Sequence, residues 1–317
     1  MRIVSLLPSA TEIVDAVGAA GQLVGRSHEC DFPAGLQQLP VLTRPRRKFP
    51  RPSGEIDRAV RAVLEDALTV YELDVDLLRS LDPDVIVTQS LCDVCAVSLD
   101  DVRSALAKFA GDRVRVVSLG SMRLAEVWND VRTVGQALSR GPEGESAARS
   151  LQQRIHELAE RSTRARGSAP RQKVLTVEWL DPVMIGGTWM PELVEAAGGR
   201  ALVTEPGQHA PTWSREQLQE LAPDLVLIKP CGFEIERTRE ELELLATQLP
   251  WDTWKAVREG QVYLADGNAF FNRPGPRLVE SAEILAACLD PATFRDEVQK
   301  HASNVRRVTP ELNLEQI

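Results

Sequence analysis

The sequence predicts an α/β fold of two lobes with mostly parallel sheets, joined by one long helix. Three observations predict it. Short apolar runs rich in Val and Ile alternate with helical stretches, the pattern of parallel sheets buried on both faces. The alternation occurs twice, with the same landmarks in the same order. Between the two passes lies a stretch whose apolar residues keep helical spacing. The expected organisation is an N-terminal lobe over 1–123, a linker helix region over 124–167, a C-terminal lobe over 168–290 and a tail over 291–317.

Strands are expected at Ile3–Leu7, Leu23–Arg26, Val85–Thr88, Val114–Ser118, Val174–Val177, Leu225–Ile228 and Val262–Ala265. Helices are expected at Thr11–Val17, with Ser9 as its cap, then at Ile56–Ala67, Asp76–Leu81, Leu99–Phe109 and Leu124–Leu138. The run from Val75 to Val87 is echoed from Arg215 to Leu227. Each is a short helix, a proline stop, an aspartate and a buried strand. Thr11–Gly18 is echoed by Glu192–Gly198. In the connector, Val127, Val131, Val134 and Leu138 share one helix face, and Leu151, Ile155 and Leu158 continue it after a break expected at Gly141-Pro142. The polar tail is expected to fray or to form one more helix over Pro291–Ala302.

The 317 residues suit two domains of roughly 100–150 residues each. A formal net charge of −9 argues against nucleic acid as a partner, because phosphate neutralisation needs clustered Lys and Arg. The basic run from Arg44 to Arg51 is interrupted by Pro45 and Pro50 and reads as an extended loop. No apolar window is long enough to span a membrane. The first residues run straight into a strand, without the layout of a secretory signal, so a cytoplasmic location is expected. The alternative is a periplasmic or extracellular protein whose leader has been removed. A reducing cytoplasm disfavours a permanent Cys92–Cys95 disulfide.

In open α/β sheets ligands sit at the carboxyl ends of the strands. The residues following the strands are therefore the candidates: His28, Glu29 and Cys30; Gln89, Cys92, Asp93 and Cys95; Trp179 and Trp189; Cys231 and Phe233; Asn268, Phe270, Phe271 and Arg273. Four of the 5 cysteines fall there. The fifth, Cys288, lies on an apolar helix and reads as a small buried hydrophobe, while His156 and His301 read as solvated.

Several motifs together carry a family resemblance: SLLPSATEIV (5–14), HECDFP (28–33), YELDVDLL (71–78), PDVIVTQSLCDVCAVS (83–98), PCGFEIERT (230–238) and GNAFFNRPGPRLVE (267–280). The chain resembles the two-lobed periplasmic-binding-protein-like receptors for iron chelates and vitamin B12, whose lobes are joined by one rigid helix. It is most similar to a branch without export signals that is described as cobalamin-binding. The resemblance implies a corrinoid-sized cleft and a cobalamin-like ligand, and it covers residues 1–290.

Four readings of Cys92 and Cys95 stay open. They can join His28 and Cys30 in a zinc site, which needs about four such ligands. They can form a redox pair near a helix start. With Cys30 and Cys231 they can hold an iron–sulfur cluster. Or they line a pocket, where one of them, or His28, ligates cobalt. Trp179, Trp189, Phe233, Phe270 and Phe271 offer flat apolar walls for a macrocycle, and Gln89, Asn268 and Asn272 can meet its rim amides.

The sequence has no G-x-S-x-G, H-E-x-x-H or phosphate-loop motif, so a binding protein is favoured over an enzyme. Three alternatives remain: a cytoplasmic corrinoid-handling enzyme, a protein that binds only a metal ion, and a transport component. The last would meet an ABC permease, with the echoed acids Asp76 and Glu216 as candidate contacts.

Overall fold

The computed structural model describes residues 1–65, 70–90 and 97–317. The chain forms two units. Met1–Arg51, Glu55–Gln152 and Pro274–Pro276 make the first, and Pro52–Gly54, Gln153–Arg273 and Arg277–Ile317 make the second.

In the first half of the chain the order is β1 (Ile3–Ser5), α1 (Pro8–Ala16), β2 (Leu23–Arg26), β3 (Thr43–Pro45), α2 (Ser53–Glu65), β4 (Tyr71–Leu73), α3 (Val75–Leu81), β5 (Val85–Gln89), α4 (Leu99–Ala107), β6 (Arg115–Leu119), α5 (Leu124–Ala137) and α6 (Gly141–Arg166). Four strands form a parallel sheet in the order β2-β1-β5-β6, and β3 and β4 form a separate antiparallel ribbon. Every residue of β5 is buried, as a central parallel strand requires. Val4, Leu6, Leu42, Leu78, Ile86, Val102 and Leu106 share one core cluster. Asp74 and Ser98 cap α3 and α4 by accepting from Leu77 N at 2.9 Å and Asp101 N at 3.1 Å.

Two expectations for this region change. α1 starts at Pro8, with Leu7 as its cap residue and Ser9 inside the helix and 2% exposed. Proline brings a helical φ and lacks the N–H that a hydroxyl cap would satisfy, so the helix begins one turn early. The helical stretch expected over 124–167 is two helices, and the break precedes Gly141-Pro142. Ser139 takes the left-handed conformation at φ 57°, and α6 then runs for 26 residues, about 39 Å. α5 carries Val127, Val131 and Val134, each 0% exposed, on the stripe that packs near α1. The start of α6 crosses α5 closely: a Cβ on Gly135 would stand 2.8 Å from Gly144 Cα and 2.9 Å from the Arg140 carbonyl.

The rest of the chain gives β7 (Lys173–Trp179), β8 (Met184–Ile185), α7 (Met190–Ala196), β9 (Arg200–Ala201), α8 (Arg215–Gln219), β10 (Leu225–Ile228), α9 (Ile235–Arg239), α10 (Leu242–Gln248), α11 (Lys255–Arg258), β11 (Val262–Ala265), α12 (Leu278–Leu289), α13 (Arg295–Lys300), β12 (Val305–Val308) and β13 (Leu314–Glu315). The sheet runs β13-β12-β11-β10-β7-β8, with β9 also paired to β7. β9, β7, β10 and β11 are parallel; β8, β12 and β13 are antiparallel. α12 is buried almost all round, the pattern of a helix enclosed by its own unit. Among the described residues no helix is long and apolar enough to cross a membrane.

The tail does more than fray. Past α13 it adds β12 and β13 to the sheet edge, with Val305 and Val308 facing the core at 0% exposure. His301, expected in solvent, is 1% exposed. Its Nε2 lies 3.0 Å from Oε2 of Glu283, which also accepts from Lys300 at 2.6 Å, while Arg154 reaches the other carboxylate oxygen at 2.7 Å. His156 is exposed and Cys288 is 1% exposed, both as expected.

The internal echo is structural. Asp84 Oδ2 accepts from the backbone N–H of Arg2 at 2.7 Å, and Asp84 N–H donates to the Arg2 carbonyl at 2.9 Å. Asp224 repeats both bonds with Lys173, each at 2.8 Å. In each unit the aspartate before a buried strand fixes where the neighbouring strand begins.

Candidate functional site

In the first unit the segment after β2 is built on Arg26. This side chain is 8% exposed and donates to four carbonyls: Leu36 at 3.0 Å, Ser27 at 3.0 Å, Cys30 at 3.2 Å and Gln37 at 3.3 Å. A planar guanidinium matches such a fan of acceptors, and it shapes the backbone of residues 27–30 from inside. The Phe32–Pro33 peptide that follows is cis.

His28 stands half-buried on this segment, with Tyr71 of β4 against its ring at 5.1 Å. Thr43, at the start of β3, holds it twice: the Thr43 hydroxyl oxygen accepts from His28 N at 3.0 Å and lies 2.7 Å from Nδ1. Burial lowers the His28 pKa from its ordinary value, and the nearby Arg26 charge lowers it further, so the ring is neutral at physiological pH. Tyr71 donates to Glu29 Oε1 at 2.9 Å. Cys30 is 2% exposed, and its sulfur lies 3.0 Å from the Thr11 hydroxyl, which in turn lies 2.7 Å from that of Ser5.

In the second unit the strand ends are organised by a buried cation. Lys229, just past β10, is 0% exposed. Its ammonium donates to Glu178 Oε2 at 2.7 Å and to Asn272 Oδ1 at 2.8 Å. The Asn272 amide donates to the carbonyls of Lys229 at 3.0 Å and Gly267 at 2.8 Å. Gly267 must be glycine, because a Cβ there would meet the Pro230 carbonyl at 2.1 Å. Trp179 and Phe233 meet as a tilted pair at 5.2 Å, and the Arg237 guanidinium covers the Phe233 ring at 4.3 Å. Arg237 also pairs with Glu241, which accepts from Ser53 N at 3.0 Å and from the Ser53 hydroxyl.

The other predicted aromatics are used within this unit. Trp189, 3% exposed, donates to the Phe271 carbonyl at 2.7 Å. Phe271, 1% exposed, sits at φ 68° with its N–H on the Ser281 hydroxyl at 2.9 Å, so both of its backbone groups are held in a conformation that bulky residues rarely adopt. Phe270 is covered by Arg277 at 4.2 Å and by the edge of His301. Asn268 Oδ1 accepts from Arg273 at 3.2 Å, and Cys231 is half-buried with its N–H on the Glu178 carbonyl. Gln89, 5% exposed, ends β5. Cys92, Asp93 and Cys95 lie outside the described residues. Among the described residues no group of three or more His, Cys, Asp or Glu side chains is placed to hold a metal ion.

Sequence reasoning missed Thr43, Lys229 and Glu178 as site-forming residues. Lys229 carried a readable signal, a lysine directly abutting the apolar run LVLI. A charge at that position ends up buried and must find a partner. Thr43 carried none, because its role comes from a ribbon whose pairing the sequence does not announce.

Two α/β units, each placing polar and aromatic side chains at the carboxyl ends of parallel strands, define a two-lobed binding protein. The periplasmic binding protein family model matches residues 3–269, and the chain belongs to that family. Among known proteins it is similar to an uncharacterized ABC transporter substrate-binding lipoprotein of Bacillus subtilis, at 22% identity over 93% of this chain and 82% of the relative. It is similar to the vitamin B12-binding protein of Pectobacterium atrosepticum, at 23% identity over 91% of this chain and 88% of the relative. Among solved structures it resembles a periplasmic heme-binding protein from Pseudomonas aeruginosa with a TM-score of 0.68, at 24% identity over 92% of this chain and 93% of that one.

Proposed function

We propose that the protein is a substrate-binding protein for a metal-centred tetrapyrrole, with a corrinoid as the preferred ligand. One observation carries this reading. In the first unit the segment after β2 presents a half-buried neutral imidazole, His28, with the Tyr71 ring against it at 5.1 Å. Flat apolar surface and a neutral nitrogen base are what a metallated macrocycle requires. Relatives named for vitamin B12 and for heme support the ligand class. The motifs shared with cobalamin binders favour the corrinoid; the heme-binding neighbour makes heme the second reading. A relative named as an ABC transporter component supports delivery to a permease.

The test is an absorbance and calorimetric titration of the purified protein with aquacobalamin, diaquocobinamide and ferric heme. Stoichiometric corrinoid binding at micromolar concentration or tighter is expected. Heme binding alone selects the second reading, and binding of none of the three overturns the proposal.

A further inference from the structure

A cavity of about 520 Å³ opens in the second unit at the amino ends of three parallel strands. Lys173 begins β7, Asp224 precedes β10 and Gln261 precedes β11. Trp179 and Lys229 stand at the opposite ends of β7 and β10, so the cavity is separate from the strand-end segments described above. Its volume is that of a small-molecule site. Tyr263 and Cys288, each 1% exposed, line it together with Leu289. Four cations line it as well, Arg171, Lys173, Lys255 and Arg307, against two carboxylates, Asp224 and Glu259. Both carboxylates are engaged. Asp224 accepts from the Lys173 backbone N–H at 2.8 Å, and Glu259 lies 3.5 Å from the Lys255 ammonium. Among the described residues neither the Lys173 ammonium nor the Arg307 guanidinium has an ion-pair partner.

Arg307 is the group the fold leaves unused. On β12 it pairs with Tyr263 of β11, and its guanidinium hydrogen-bonds the Tyr263 hydroxyl. Its Nε is buried and has no partner among the described residues. Arg306, one residue earlier, is spent within the fold, donating to the carbonyls of Ala302 and Val305. The side chains beside Arg307 supply no counter-charge. Burial pushes the Tyr263 phenol up to about 12 and raises the Cys288 thiol as well, so both stay neutral at physiological pH. The chain as a whole carries a formal charge of −9, so this local excess of cations runs against its general character. A guanidinium with spare donors and no counter-ion suits a carboxylate or a phosphate, whose paired oxygens match its planar fork. We propose that this cavity is a second binding site, for a small organic anion whose carboxylate or phosphate head is received by Arg307 and Lys173 and whose body lies against Leu289. The site is independent of the ligand bound at the carboxyl ends of the strands.

Calorimetric titration of the purified protein tests it, at fixed ionic strength in chloride, with benzoate, phenyl phosphate and the uncharged benzamide as probes. Wild type is expected to bind at least one of the two anions saturably, with one site per chain, and not to bind benzamide. The anion that binds more tightly identifies the head group. Lys173→Met and Arg307→Met should each weaken that binding about 10-fold or more, the scale of a lost hydrogen bond to a charged group. Arg239→Met removes an exposed charge on α9, outside the cavity, and should leave the binding unchanged. If Arg307→Met does not fold, Lys173→Met, at an exposed position, decides alone. Three results overturn the proposal. One is no saturable binding of either anion by wild type. Another is benzamide binding as tightly as benzoate, which would make the site an apolar one. The third is affinity undiminished in Lys173→Met or in a folded Arg307→Met, or diminished equally in Arg239→Met.

Discussion

Lys229 has no exposed surface, and its ammonium lies 2.7 Å from the carboxylate of Glu178, which is 26% exposed. The two partners are unequal: Glu178 can be rehydrated if the pair is broken, whereas Lys229 cannot. Glu178→Gln should therefore cost about 3 kcal/mol or more, because it strands a buried charge. Lys229→Met should cost less. Urea denaturation of both variants checks the order; equal losses would mean that the pair is not truly buried.

Arg26 predicts a coupling between stability and binding. Lysine at this position keeps the charge but has one compact donor head in place of the fork that reaches four carbonyls. Arg26→Lys should lose about 2 kcal/mol of stability. It should also weaken ligand binding, since the backbone it shapes carries His28. A stable variant with wild-type affinity would show that the segment holds its form without the guanidinium.

Acid sensitivity should trace to Glu283. Burial alone would raise its pKa, but the hydrogen bonds from His301, Lys300 and Arg154 outweigh burial and hold it down to about 2 from the ordinary 4.5. Because the folded-state value is depressed, the stabilisation is complete above pH 4.5 and is lost as pH falls toward about 2. It amounts to about 3 kcal/mol at neutral pH. Glu283→Gln should be less stable than wild type at pH 7, and the gap should narrow as the pH is taken down to 3. Chemical denaturation across that range is the measurement; a gap that does not change with pH would assign the effect to packing.

The crossing of α5 and α6 predicts intolerance of a single methyl group. Gly135→Ala would place a Cβ 2.8 Å from Gly144 Cα, against backbone that cannot rotate away. A loss of about 1–3 kcal/mol is expected, read by thermal unfolding. Gly141→Ala, whose Cβ would meet nothing within 4 Å, is the control.

The strands legible in the sequence were those whose apolar runs end sharply. Leu23–Arg26, Leu225–Ile228 and Val262–Ala265 fall where the composition placed them. β12 was not legible. Its buried Val305 and Val308 flank two arginines, and a four-residue strand offers too little alternation to stand out from a polar tail. His301 was misread for a related reason. Its neighbours Lys300 and Ser303 are polar, and the distant Glu283 and Phe270 that enclose its ring are not visible in the local sequence. At the site His28 was visible as a residue type after a strand. What holds its ring was not visible, because Thr43 and Tyr71 reach it from a ribbon whose pairing only the folded chain makes.

The paired clamps of Asp84 on Arg2 and Asp224 on Lys173 make the helix–proline–aspartate–strand segment a cassette with a built-in ruler. One carboxylate reads the start of the adjacent strand, so inserting or deleting a residue after the proline would slide that strand and turn its inward side chains outward. Evolutionary drift in such a segment is free to rewrite the helix surface and the strand's apolar identities, but not its length.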